Sequence, residues 1–279
     1  MNKKIEFYNT LKCLIVENIL NVPENDIDNM YDSWLETKDR LDTKTNFVYS
    51  DKLIHNNQKT PKDATVKGID LPTWFGDFKN KRIVVLGIDP LRNENVFNRE
   101  SADINNEVII GTPYALHEKD TRENGCASYW TFINGLVKNN NFVYCTDIYK
   151  TYYHNKLTNT RSYNDTDFIK NSNHRDILIR GLELIKPDLI IALGGITHKK
   201  LLNKNCPTIS QNILKTKSFI KLNGEKVDVY TVMHLSKIPR GMDMKKFFDA
   251  NDIDTTSISM ENRVECAEKY IELFKNKVL

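Results

Sequence analysis

The chain has 279 residues, of which 40% are apolar and 28% are charged, and its formal net charge is +3. No stretch approaches the roughly 18 consecutive apolar residues of a membrane span, and the first residues lack the apolar core of a signal peptide. We therefore expect a cytoplasmic protein with no membrane partner. The small positive charge permits DNA binding without requiring it, because a local patch matters more than the total.

The five cysteines are scattered, odd in number and contain no C-x-x-C pair. This pattern argues against a disulfide framework, a structural zinc site and an iron–sulfur cluster. We expect buried free thiols, no metal and no organic cofactor.

Residues 1–70 are predicted to form a helical N-terminal extension. Apolar residues recur at helical spacing from Ile5 to Val22, and the segment from Asp26 to Leu41 predicts a second helix. The segment from Asn46 to Gly68 is mostly polar and is predicted to be a surface loop.

After Trp74 the pattern alternates between apolar strands and helices. Strands are predicted at residues 82–87, 141–146, 188–193 and 227–233, and helices at 128–137, 166–185, 261–277 and a short segment ending at 202. Continuous apolar strands between helices are typical of a parallel sheet covered on both faces. We expect a three-layer α/β/α domain over residues 71–279, with a roughly four-stranded parallel sheet.

Polar residues follow three of these strands. Asp89 follows the first strand, Asp147 follows the second and His234 follows the fourth. In an open α/β sheet, ligands bind at the edge formed by the carboxyl ends of the strands. Singly, Asp89 could cap its own turn and His234 could be an ordinary hydrogen-bonded residue. Together the three residues could surround one small, flat, polar ligand.

Four segments resemble motifs of the uracil-DNA glycosylase superfamily: Gly87-Ile-Asp-Pro90, Gly111-Thr-Pro-Tyr114, Lys186 to Gly194, and His234-Leu-Ser236. The resemblance covers residues 71–279 and implies the fold of that superfamily. It also implies that Asp89 serves the water nucleophile and the oxocarbenium-like sugar. Tyr114 would stack on the extruded base, and His234 would donate a hydrogen bond to O2 of the departing base. A core tyrosine and a structural histidine remain the simpler alternatives.

Asp147 departs from the resemblance, because the superfamily often has Asn here. An Asn amide pairs with uracil, which presents N3–H as a donor and O4 as an acceptor. An ionised carboxylate repels O4 and suits the N4 amino group of cytosine, more so if cytosine is protonated at N3. The alternative is that Asp147 caps a turn and other residues read the base.

Leu91 and Arg92 are a second departure, because the uracil-specific branch has Tyr-His after the G-x-D-P motif. Leu91 is smaller than Tyr and need not exclude a substituent at the 5-position of a pyrimidine. Arg92 could contact sugar hydroxyls or phosphate. An ordinary surface turn with a solvated Arg is the alternative.

The loop after His234 is the expected DNA contact. Ile238 or Met242 could wedge into the base stack, and Lys237 and Arg240 could meet phosphates, with Ser236 binding a phosphate or holding the loop. The loop lacks the proline of the H-P-S motif that it resembles, and a solvated basic loop is the alternative.

These expectations combine into a monomeric, monofunctional DNA glycosylase acting on a cytosine derivative. Unmodified cytosine is abundant in any host genome, so an enzyme that removed it would be toxic to the host. A foreign, hypermodified cytosine as substrate would avoid this toxicity. The pattern resembles an antiphage branch that removes glucosylated hydroxymethylcytosine. One rival is a repair glycosylase for uracil or another deaminated base, and a second is a non-catalytic DNA-binding module of the same fold.

Overall fold

The computed structural model describes residues 3–37, 46–56, 64–90, 94–155, 160–161, 173–206, 212–215, 217–236 and 241–279. The helices are α1 Lys3–Asn18, α2 Glu24–Thr37, α3 Glu94–Glu100, α4 Ala127–Lys138, α5 His174–Ile185, α6 Gly195–Leu202, α7 Gly241–Asp249 and α8 Arg263–Lys277. The strands are β1 Phe47–Ser50, β2 Ala64–Asp70, β3 Thr73–Phe75, β4 Lys81–Gly87, β5 Glu107–Gly111, β6 Asn141–Asp147, β7 Thr151–Asn155, β8 Thr160–Arg161, β9 Leu189–Leu193, β10 Ser218–Leu222 and β11 Glu225–Val232.

The described residues form two compact units, and the chain enters each of them three times. The first unit comprises Met1–Thr73, Asp89–Asp120 and Asp147–Ile185, and the second comprises Trp74–Ile88, Thr121–Thr146 and Lys186–Leu279. The predicted boundary at residue 70 is close to the first of these divisions, but residues 1–70 share their unit with two later segments.

The first unit contains a five-stranded sheet in the order β1-β5-β2-β7-β8. Strand β2 lies at its centre, parallel to β5 and antiparallel to β7. Helices α1 and α2 confirm the two predicted N-terminal helices, and α1 buries Phe7, Leu11, Leu14 and Ile15. The loop predicted for residues 46–68 is wrong at both ends, because β1 and β2 pair there with strands from later in the chain.

The second unit contains a six-stranded sheet in the order β10-β11-β9-β4-β6-β3. Strands β4, β9 and β11 run parallel, whereas β10 and β11 form an antiparallel hairpin. The predicted strands correspond to β4, β6, β9 and β11, and α4, α6 and α8 match predicted helices within two residues. The chain is therefore a mixed α/β protein in which helices and sheets form layers, as the sequence predicts, and its second sheet is mixed.

The predicted helix at residues 166–185 is observed only from His174 onward as α5. Its predicted first part, residues 166–172, lies outside the described residues. In the part of the chain that the structure describes, no helix combines the length and the apolar character that crossing a membrane requires.

Gly76 allows β3 to approach β6 closely. Its φ is +87°, and a Cβ placed there would overlap with the main-chain oxygen of Asn141, at the start of β6. Gly224, in the β10–β11 turn, has a similar φ of +86° but open space around its Cβ position. Substitution of either glycine would therefore introduce backbone strain, but only substitution of Gly76 would add a steric overlap.

We expect Gly76→Ala to lower the free energy of unfolding by about 3 kcal/mol or more, because left-handed strain adds to overpacking against a backbone atom. Gly224→Ala is the matched control, with the strain alone, and should lose only about 1–2 kcal/mol. Urea denaturation of both variants measures the difference. Equal losses would mean that the contact with Asn141 relaxes at no cost.

Candidate functional site

His234 lies two residues after β11 in the second unit, and three polar groups surround its Nδ1 atom. The Tyr129 hydroxyl of α4 is 2.8 Å from Nδ1 and the Ser236 hydroxyl is 2.9 Å from it. The main-chain N–H of Ser236 donates to the same atom over 3.3 Å. Ser128, also in α4, donates from its hydroxyl to the main-chain oxygen of Leu235. Helix α4 therefore holds the segment that carries His234.

The contact from the Ser236 main chain favours one tautomer of His234. Because a backbone N–H can only donate, this contact favours the form in which Nδ1 accepts and the ring proton sits on Nε2. In that form His234 is a neutral imidazole with an Nε2–H donor. Such a group can stabilise negative charge on an oxygen without transferring a full proton.

The edge of the sheet beside His234 has the topology of a ligand site. Strand β4 lies between β6 and β9, so the chain passes from β4 to one side and returns on the other. The carboxyl ends of strands at such a switch point form the usual ligand crevice in open α/β sheets. Gly194 directly follows the neighbouring strand β9, and a Cβ there would lie 3.9 Å from the His234 side chain.

Asp89 lies in the first unit, two residues after β4 in the chain, and is half-buried. Its Oδ2 atom is inaccessible to solvent. Burial, with a further contribution from the charge of Asp89, raises the pKa of Tyr149 to about 12. Tyr149 therefore remains a neutral hydroxyl close to the Asp89 carboxylate at any physiological pH.

Asp147 is the last residue of β6 and is only 2% exposed. Three residues later, the Lys150 ammonium donates to the main-chain oxygen of Asp147 over 2.6 Å. Burial lowers the pKa of Lys150 to about 8, although the negative charges of Asp147 and Asp70 oppose that shift. Asp70 ends β2 and is also 2% exposed. The structure thus gathers two buried aspartates around one buried lysine.

His174, at the start of α5, holds the backbone of Lys150. The main-chain N–H of Lys150 donates to Nδ1 of His174 over 3.2 Å, and the Tyr153 hydroxyl lies 2.6 Å from Nε2. Burial, and secondarily the charge of Lys150, lowers the pKa of His174 from 6.5 to about 3. His174 is therefore neutral in the folded protein at neutral pH.

A histidine that is neutral only when folded makes stability depend on pH. The unfolded chain takes up a proton at His174 below pH 6.5, whereas the folded protein does so only near pH 3, so stability falls as the pH falls through that range. From about 1.4 kcal/mol per pKa unit, we expect a loss of about 2 kcal/mol between pH 7 and pH 5. Urea denaturation at both pH values measures it, and His174→Gln should lack this part of the loss. An identical pH dependence in that variant would contradict the buried neutral state.

Tyr114 lies in a strained turn of the first unit. Both Tyr114 and Ala115 have left-handed backbones, with φ of +57° and +50°. Each such residue costs about 1–2 kcal/mol, and strain of this kind concentrates at functional sites. The turn is held by Thr112, which is 2.9 Å from the buried ring of His117 and accepts its main-chain N–H. Tyr114 is half-buried, and its hydroxyl oxygen is inaccessible to solvent.

Ser236 lies beside His234, and Met242 is 70% exposed at the start of α7. The other predicted contacts, Leu91, Arg92, Lys237, Ile238 and Arg240, lie outside the described residues. Their roles stay predictions.

Sequence reasoning missed the residues that hold the predicted groups. Tyr129 falls within the predicted helix at residues 128–137 without a functional role, and Lys150 and His174 have no predicted role either. Lys150 offered a local signal, because a lysine three residues after a strand-end aspartate is close enough to contact it. Nothing in the sequence links Tyr129 to His234 or His174 to Lys150, because these pairs are distant in the chain.

Within the described ranges, no group of three or more His, Cys, Asp or Glu side chains could hold a metal ion. All five cysteines are free; Cys145 and Cys266 are buried, whereas Cys13 is exposed. No protein-family model matches the chain, and a search of curated proteins finds no match either. The resemblance to the uracil-DNA glycosylase superfamily therefore rests on the four motifs and on the chemistry of the residues that they contain.

Proposed function

We propose that the protein is a monofunctional DNA glycosylase that flips out a 5-modified cytosine and hydrolyses its glycosidic bond. The observation that carries the proposal is the set of contacts at Nδ1 of His234, which favours the Nε2–H tautomer and so supplies the donor that a departing base requires. Its place beside the carboxyl ends of β9 and β11 agrees with a ligand site.

In the proposed reaction, the bond between C1′ of the sugar and N1 of the base breaks first or ahead of water attack. The bonding electrons pass to the base and build negative charge at O2, where the His234 Nε2–H donates. The Asp89 carboxylate stabilises the oxocarbenium-like sugar and accepts a proton from the water whose oxygen bonds to C1′. The products are the free base and an abasic site.

Asp147 is proposed to read the Watson–Crick edge of the base. Its carboxylate is buried and lies in the field of the Lys150 ammonium, so the two opposite charges stabilise each other. An ionised carboxylate accepts from N4 of cytosine and disfavours O4 of uracil. Tyr114, held in its strained turn, is proposed to stack on the flipped base.

A panel of duplexes tests the proposal directly. Purified protein is incubated with DNA containing uracil, cytosine, 5-methylcytosine, 5-hydroxymethylcytosine or glucosylated hydroxymethylcytosine, and abasic sites are cleaved with alkali. We expect the most product from glucosylated hydroxymethylcytosine, and strand breaks only after alkali. Preference for uracil would support a repair glycosylase instead. DNA binding with no abasic product from any duplex would overturn the enzymatic proposal.

A further inference from the structure

Lys150 is a buried charge in the connection between β6 and β7. The residue is only 3% exposed, and its ammonium donates over 2.6 Å to the main-chain oxygen of Asp147. The carboxylates of Asp147 and Asp70 both attract it. The Lys150 ammonium therefore holds Asp147, the residue proposed to read the base, by a hydrogen bond to its backbone and by attraction to its carboxylate.

The backbone of Lys150 is fixed independently of its side chain. Its N–H donates to Nδ1 of His174, whose other ring nitrogen lies 2.6 Å from the Tyr153 hydroxyl. Tyr153 is fully buried and His174 is 2% exposed. The ammonium therefore extends from a rigid anchor and holds the end of β6 in one place.

Burying this ammonium is unfavourable, since its pKa falls to about 8 even with two carboxylates nearby. Replacing all three charged residues by apolar ones of similar volume would avoid that penalty, and such replacements are often neutral or stabilising, whereas removing the lysine alone leaves buried carboxylates uncompensated. The stability of the fold alone therefore gives no reason for a charged cluster here.

We propose that Lys150 is a positioning residue that sets base specificity, by fixing the backbone of Asp147 and keeping its carboxylate ionised. This inference rests on the proposed function, in which Asp147 reads the base. Without the ammonium, a buried carboxylate favours its protonated form. A protonated carboxyl group offers one donor and one acceptor, as an Asn amide does, and would accept uracil more readily than cytosine.

The neighbouring histidine and tyrosines do not change protonation state between pH 5 and pH 7.5, so the effect of Lys150 can be measured in that range. Asp147 from β6 and Asp70 from β2 face the ammonium, and His174 from α5 contacts its backbone. His174 stays neutral above about pH 3, and burial raises the pKa of Tyr149 to about 12 and that of Tyr153 further. Between pH 5 and pH 7.5, a change in behaviour on removing Lys150 therefore reports on the two aspartates.

Lys150→Met removes the charge and keeps the length of the side chain. Lys67→Met is the matched control, because Lys67 is also buried, at 5% exposure, in the same unit and lies over the Phe97 ring instead. Single-turnover rates are measured from pH 5 to pH 7.5 on duplexes with glucosylated hydroxymethylcytosine and with uracil. We expect Lys150→Met to lower the ratio of the two rates at least tenfold and to move the acidic limb of the pH profile upward. Lys67→Met should keep both unchanged.

A second measurement does not depend on the reaction. In protein carrying ¹³C-labelled aspartate, the carboxyl signal of Asp147 is identified by its loss in Asp147→Asn. Lys150→Gln, whose amide can still donate to a carbonyl, should shift the titration of that signal to higher pH, and this variant also serves if Lys150→Met does not fold.

The outcomes separate the two proposals. If wild type releases no base from any duplex, the proposed function fails, and the carboxyl titration still decides whether Lys150 keeps Asp147 ionised. If wild type acts on the modified cytosine but Lys150→Met keeps its rate ratio and its acidic limb, the inference about Lys150 is overturned while the function stands. An unchanged Asp147 titration in Lys150→Gln overturns it as well.

Discussion

Asp89→Asn should lower the rate of base release by about 10²–10³ or more, with DNA binding largely retained. The proposed role of Asp89 is to stabilise the sugar cation and to accept a proton from the attacking water, and the charges that it stabilises develop only in the transition state. Removing such a group lowers the chemical rate far more than ground-state affinity. Single-turnover rates and equilibrium binding to the same modified duplex measure the two effects.

Asp252→Asn is the matched control for this change. It removes the same charge from an exposed aspartate whose ion pair with Lys277 is on the surface, and its left-handed backbone suits Asn. The control should keep the wild-type rate. Near-normal release by Asp89→Asn would remove Asp89 from the chemistry and return it to a turn-capping role.

Asp147→Asn should reduce the rate on modified cytosine by up to about 10⁴-fold. The amide of Asn presents a donor where the base also presents one, so buried polar groups lose their partners. Some activity on uracil can appear, but the pocket around the 5-position and Tyr114 also limits it. Loss of the cytosine activity is therefore the stricter test, and it is measured with matched duplexes at equal enzyme excess.

Asp70→Asn is the matched control for Asp147→Asn, because it removes a charge near Lys150 without changing the residue proposed to read the base. Asp70 is as buried as Asp147 and acts on the same ammonium, but it is not proposed to contact the base. We expect it to lose far less cytosine activity than Asp147→Asn. Equal losses would mean that the charge around Lys150 matters and that Asp147 is not the reader. Wild-type preference for uracil would have the same consequence for the substrate.

The sequence predicts the strands that are continuous apolar runs and the helices that have one apolar face. Strands β4, β6, β9 and β11 are fully or mostly buried, so their hydrophobic signal is strong. Strands β1 and β2 carry mixed residues and owe their conformation to β5 and β7, which no local pattern shows. The β10–β11 hairpin did have a signal, the Asn223-Gly224 pair with positive φ at both residues.

In the candidate site, the sequence likewise predicts some residues and not others. Asp89, Asp147 and His234 could be found because each follows a strand, where ligand-binding residues concentrate in this class of fold. Their supporting contacts could not, because Tyr129 is distant from His234 in the chain and His174 from Lys150. The tautomer of His234 depends on a backbone contact whose geometry no residue pattern reveals.

The threefold entry of the chain into each unit has a consequence for its synthesis. The central strand β2 must wait for β7, which leaves the ribosome much later, before the first sheet can form. During that interval β2 exposes unpaired backbone edges, a state that favours aggregation and recruits chaperones. Neither unit corresponds to a single stretch of the gene, so expressing either one as a fragment would leave its sheet without strands that only the rest of the chain encodes.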